Sequence, residues 1–209
     1  MPLYKTIKVN SQTTVKIWKI EESFNDLMDG TPLKPESLNR VNGMKSELHQ
    51  RGFLSVRHLL SAFGYSDLDL YYDANGKPHL NDGKEISITH SFTFSGVIIS
   101  DKKAGIDIEK QRDKIAKISS KFVDYEFKYL DQNSTSFVRK LTVIWGIKES
   151  LYKLFATPGM LFKTHFFVIP FMLNDLKTKA WIDYNNLKAG YTCEFLEFEG
   201  FTCAYAIEE

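Results

Sequence analysis

Apolar and polar positions change their period several times along the chain, and each change marks an element. "TTVKIWKIEES" alternates Val15 and Ile17 against Lys16, Trp18 and Ile20, which predicts a strand leading into a short helix, "SFNDLMDG", that stops at Gly30. From Glu47 to Phe63, the residues Leu48, Phe53, Leu54, Val56, Leu59, Leu60 and Phe63 recur at helical spacing. "LDLYY" and the turn "DANGKPHL" follow, bent at Asn75-Gly76 and kept extended at Lys77 by Pro78. Three strands come next: "EISITHS", "SGVIIS", and "AGIDIE", which is entered through the polar turn "DKK" at 101–103. Residues 114–130 and 138–155 read as helices, and strands "AGYTCEFLEF" and "FTCAYAI" close the chain around Glu199-Gly200. Strands and helices are mixed in both halves, without a linker or repeat, so the fold class expected is one compact α/β (α+β) unit whose halves meet near residue 100.

Composition narrows what such a unit does. With 209 residues, 43% of them apolar, the chain can bury a substantial core. Its 27 basic and 26 acidic residues leave a net charge of +1, so no global attraction to nucleic acid or an anionic membrane is built in, and neither partner is expected. The N-terminal "MPLYKTIKVN" has no apolar core of signal-peptide length, and the longest apolar run, "FFVIPFML", is too short to span a bilayer. A two-residue turn at Glu199-Gly200 sets Cys193 opposite Ala206 and Cys203 opposite Leu196, on different faces. That argues against a disulfide between them, and a reducing, cytoplasmic compartment is expected.

Candidate chemistry concentrates in three stretches. In "AGIDIEK" the strand period puts Ile106 and Ile108 on one face and Asp107 and Glu109 on the other. Taken alone, this fits a wet, acidic edge strand as well as half of a cation site built from hard oxygen ligands. In "LTVIWGIKESLYKLF" the helical period stacks Trp145, Glu149 and Lys153 on one face and turns Ile144, Ile147, Leu151 and Leu154 to another. Glu149 and Lys153 alone read as a surface ion pair. With Asp107 and Glu109 they would give three carboxylates and a lysine, the set that a magnesium-bound pyrophosphate needs. In "SITHS", His90 aligns with Ile86 and Ile88, opposite Ser87, Thr89 and Ser91; a partly buried core histidine and a member of a shared site are both open.

"GKP" at 76–78, "SITHS" at 87–91, "GIDIE" at 105–109 and "WGIKESLYK" at 145–153 stand in the order and approximate spacing of the 4'-phosphopantetheinyl transferases, and the chain resembles their single-chain, two-half type. The resemblance implies a pseudo-dimer of two similar α/β halves, residues 1–103 and 104–209, with the site between them in a monomer. It implies transfer of 4'-phosphopantetheine from coenzyme A to a serine of an apo acyl or peptidyl carrier protein, releasing adenosine 3',5'-bisphosphate with magnesium as cofactor. Position by position, it makes Asp107, Glu109 and Glu149 the metal ligands, with Glu149 also the base for the serine proton. Lys153 would neutralise the pyrophosphate with Lys148 beside it, and His90 would contact phosphate. Lys77 and Pro78 would lie against the nucleotide, and Arg57 would take its extra phosphate. Thr89 stands where relatives carry serine, and "ELHQRG" lacks the adjacent basic residues that relatives often carry there.

The expected chemistry is coherent, because a serine hydroxyl is a poor nucleophile and a pyrophosphate repels it, so a base, a cation and positive side chains are required. Carrier proteins of this system are generally acidic, and Lys110, Arg112, Lys114, Lys117 and Lys121, against the single acid Asp113, offer either a docking face or a merely solvated one. Two other readings remain open: a non-catalytic homologue that binds coenzyme A or a carrier protein, and a magnesium-dependent phosphodiesterase or nuclease.

Overall fold

The computed structural model describes residues 3–208; Met1 and Pro2, which begin the segment searched for a signal peptide, and Glu209 lie outside the described residues. The fold is mixed α/β with antiparallel sheets, and contacts divide the chain into two units, Met1–Lys102 and Lys103–Glu209.

In the first unit, β1 (Leu3–Lys8) and β2 (Thr13–Lys19) precede the helices α1 (Phe24–Met28), α2 (Pro35–Asn42) and α3 (Glu47–Phe63). Then come β3 (Leu70–Tyr72), β4 (Pro78–Leu80), β5 (Glu85–Ser91) and β6 (Phe94–Ser100). Ser23 starts α1 with a capping box: its hydroxyl accepts from the Asp26 N–H while the Asp26 carboxylate accepts from the Ser23 N–H. The β3–β4 hairpin turns on Asp73, whose carboxylate accepts from the N–H groups of Asn75 and Lys77, with Gly76 at φ 81°. A four-stranded antiparallel sheet in the order β1-β2-β6-β5 carries α3 on one face, and Leu54, Leu59 and Leu60 of α3 pack with Trp18, Ile86 and Val97. Leu48, read as part of the apolar face, is exposed instead.

In the second unit, β7 (Ala104–Lys110), α4 (Lys114–Ile118), α5 (Phe137–Phe155) and α6 (Phe162–His165) lead to β8 (Phe166–Val168), β9 (Lys177–Tyr184), β10 (Leu187–Phe198) and β11 (Phe201–Ile207). The strands form an antiparallel sheet in the order β7-β11-β10-β9-β8, and Leu141, Ile144, Ile147 and Leu151 of α5 are buried against Ala180, Ile182, Cys193 and Ala204. Glu199 and Gly200 both adopt positive φ, the geometry of a tight hairpin, and the register is the one read from the sequence: Cys193 faces Ala206 and Leu196 faces Cys203. No disulfide joins the two cysteines. The helix expected over 114–130 ends at Ile118 and gives way to two short 3-10 turns, 119–121 and 125–128, the second of which buries Glu126 against Lys148 and the Val168 N–H.

The two units share a core topology. Each has a first strand (β2 or β7), a long helix (α3, 17 residues, or α5, 19) and an antiparallel hairpin (β5–β6 or β10–β11) whose last strand pairs with the first. Among the described residues no helix is long and apolar enough to cross a membrane.

Candidate active site

Helix α5 lies unusually close to β7, and glycine makes this possible. An ideal Cβ on Gly105 would fall 1.9 Å from the Ser150 carbonyl oxygen, and one on Gly146 would meet the Ala204 methyl at 3.1 Å. Ser150 Oγ fastens the helix, lying 2.7 Å from Gly146 O and 3.0 Å from Ala204 O. Gly105 therefore makes room for a helix backbone.

That close approach brings the two acidic stretches together. Asp107 lies on the α5 side of β7 and is buried; Lys153 Nζ binds its Oδ1 at 2.7 Å and also donates to Ile106 O at 2.9 Å. The Trp145 indole N–H points to Glu109 Oε1 at 3.4 Å. Burial, with Asp107 next, raises the Glu109 pKa above its ordinary value, and Glu149 is pushed up to about 7 by burial, then by Asp107 and Glu109, against the opposing pull of Lys153. Asp107, Glu109, Glu149 and Lys153 thus form one electrostatically coupled group in the second unit. The donor chemistry, three carboxylates that repel one another, suits a hard divalent cation. Among the described residues, however, no three His, Cys, Asp or Glu side chains converge into a ready-made ligand group. The lysine on Asp107 supplies the local positive charge instead.

Lys148 is not part of this group. Its side chain is fully buried, paired with Glu126 at 2.8 Å and donating to the carbonyls of Phe122 (2.7 Å) and Phe162 (3.1 Å). All three ammonium donors are occupied, so it cannot reach a pyrophosphate. Glu126 also accepts from the Val168 N–H at 2.9 Å, so the pair ties α5 to the 3-10 turn at 125–128 and to β8. The sequence places Lys148 next to Glu149 in the motif, but a step of one residue on a helix turns a side chain by about 100°.

In the first unit, His90 is exposed on the α3 side of β5, whereas Thr89 is buried on the opposite face, so strand alternation separates two residues that the motif joins. Lys77 lies 3.5 Å from Glu85, and Pro78 opens β4 opposite Tyr72. Arg57 is buried: its Nε binds Asp67 at 3.0 Å, its guanidinium stacks 3.5 Å from the Phe53 ring centre, and Nη1 donates to Phe53 O. It is therefore a wall residue whose charge is paired with Asp67. It borders a cavity of about 300 Å³ with Lys34, Glu36, Ser37, Arg40, Tyr71 and Tyr72. Lys34 and Arg40 are more accessible than Arg57, and sequence reading passed them over because α2 has only two buried residues to signal it. The cations Lys110, Arg112, Lys114, Lys117 and Lys121 are all exposed, spread over the end of β7, α4 and the turn after it.

A family model for the 4'-phosphopantetheinyl transferase superfamily matches residues 103–206, the stretch that contains β7, α5 and the coupled acids. Through this unit the chain belongs to the 4'-phosphopantetheinyl transferase superfamily. A search of curated proteins gives no match. The superfamily assignment makes phosphopantetheinyl transfer the activity that this transferase unit supports, with coenzyme A and a carrier protein as the substrates it implies.

Proposed function

We propose that the protein transfers 4'-phosphopantetheine from coenzyme A to a serine of an apo acyl or peptidyl carrier protein, as a magnesium-dependent holo-carrier-protein synthase. The observation that carries this reading is the coupled group of Asp107, Glu109, Glu149 and Lys153, held together by the close approach of α5 to β7. In the proposed step the serine oxygen attacks the phosphorus that bears pantetheine. The pyrophosphate bond to adenosine 3',5'-bisphosphate breaks, and Glu149 takes the serine proton, directly or through water. Before metal binds, burial and the neighbouring Asp107 raise the Glu149 carboxyl to about 7.

Asp107, Glu109 and Glu149 would hold the magnesium ion, which when bound supplies charge stabilisation at the pyrophosphate oxygens. Lys153 neutralises pyrophosphate charge, and His90 contacts phosphate. Lys77, Pro78 and the cavity of Lys34, Glu36, Arg40, Tyr71 and Tyr72 receive the nucleotide, with the exposed Arg40 for phosphate and two aromatic rings for the base. The exposed cations from Lys110 to Lys121 suit an acidic carrier, and two cysteines without a mutual disulfide suit a cytoplasmic enzyme.

The test follows release of adenosine 3',5'-bisphosphate from coenzyme A plus carrier by metal-stripped protein. Release should stop in chelator and resume with added magnesium. A full rate in chelator contradicts the metal role, and release without carrier would favour a phosphodiesterase.

A further inference from the structure

We infer that Gly52 is a positioning residue for His90: its missing side chain seats the imidazole against the backbone of α3. This rests on the reading of His90 as a phosphate contact. Gly52 stands in the interior of a 17-residue helix, where glycine is less stable than alanine. Unlike the glycines at the ends of α1 and α3, it does not serve a left-handed turn, since its φ is not positive. Something other than local conformation must account for it.

His90 occupies the space. An ideal Cβ at Gly52 would lie 3.2 Å from both Cγ and Nδ1 of His90 and 3.5 Å from its Cβ. The helix cannot simply retreat, because it is fastened at that level. The Ser55 hydroxyl, fully buried, lies 2.8 Å from the Gly52 carbonyl oxygen and 2.9 Å from the hydroxyl of Ser95, and Ser95 is the residue paired with His90 across the β5–β6 ladder. A second imidazole, His49, one turn earlier on α3, stands 6.2 Å from the His90 ring. Any side chain at position 52 must therefore be accommodated by moving His90 itself. Alanine would displace the ring by a few tenths of an ångström, leaving the fold in place and the imidazole misaimed.

The experiment is a double-mutant cycle of Gly52→Ala and His90→Ala, with KM for coenzyme A, kcat, thermal midpoint and the His90 ring resonances by NMR. Misplacement of about 1 Å costs on the order of a hundredfold in rate, so a shift of a few tenths should lower kcat/KM for coenzyme A about threefold in Gly52→Ala, through a raised KM because His90 contacts phosphate. The His90 ring resonances should move, and the KM effect should vanish in the His90→Ala background. There the glycine no longer serves a neighbour, so alanine should raise the thermal midpoint more than it does in the parent. An equal rise of KM in both backgrounds, or unmoved His90 resonances in Gly52→Ala, overturns the inference. If His90→Ala alone leaves KM unchanged, the phosphate role of His90 fails, and the resonances still decide whether Gly52 seats the ring.

Discussion

At the scale of single residues, Glu149 is the base of the proposed step, and its titration has a consequence for stability. Its pKa rises from 4.5 to about 7 on folding, and that of Glu109 is raised as well. Between those values the native protein holds a proton that the unfolded chain has released, so stability falls as pH increases through this window. The thermal midpoint of the metal-free protein should therefore drop as pH goes from about 4.5 to about 7, and a Glu149→Gln variant should flatten that slope. A slope unchanged in the variant would mean that Glu149 is not the strained carboxyl. The two lysines of "WGIKESLYK" diverge at the same scale. Lys153 meets Asp107 near the acids, whereas Lys148 disappears into a fully buried ion pair with Glu126. The motif names both, and only packing distinguishes them.

Elements decide where these side chains end up. The carboxylates of β7 meet α5 because Gly105 and Gly146 carry no Cβ. Gly105→Ala would drive a methyl group into the Ser150 carbonyl, and overpacking of this kind typically costs about 1–3 kcal/mol. Urea denaturation should find a loss near the upper end of that range, about 3 kcal/mol, and a variant as stable as the parent would show that α5 can move away. The strands and long helices were legible in the sequence where one face is apolar and the period is sustained, as in α3, β5, β7, α5 and the β10–β11 hairpin. Others were not. β1 has few buried positions, α2 buries only Ser37 and Val41, β8 spans three residues, and β9 alternates weakly behind the apolar run "FFVIPFML". The stretch 114–130 read as a helix from its spacing, and the long-range partners of Glu126 in its second 3-10 turn, Lys148 and the Val168 N–H, leave no mark on the local pattern.

For the whole molecule, a net charge of +1 conceals a segregated distribution: the carboxylates crowd at β7 and α5, while a run of exposed cations begins at the end of the same strand. Order and spacing of four short motifs made the metal-ligand candidates legible without a structure. The nucleotide candidates were less so: the sequence does not show that Arg57 pairs with Asp67, or that Lys34 and Arg40, which belong to no motif, line the cavity beside it. The central claim is that this coupled group transfers phosphopantetheine, and intact-mass analysis of an apo acyl carrier protein incubated with coenzyme A, magnesium and the protein tests it most directly. The parent protein should add one phosphopantetheine to the carrier, and Glu149→Gln should add none. A carrier left unmodified by the parent, across fatty-acid and peptide-synthesis carriers alike, would contradict the transferase account and leave a homologue that only binds.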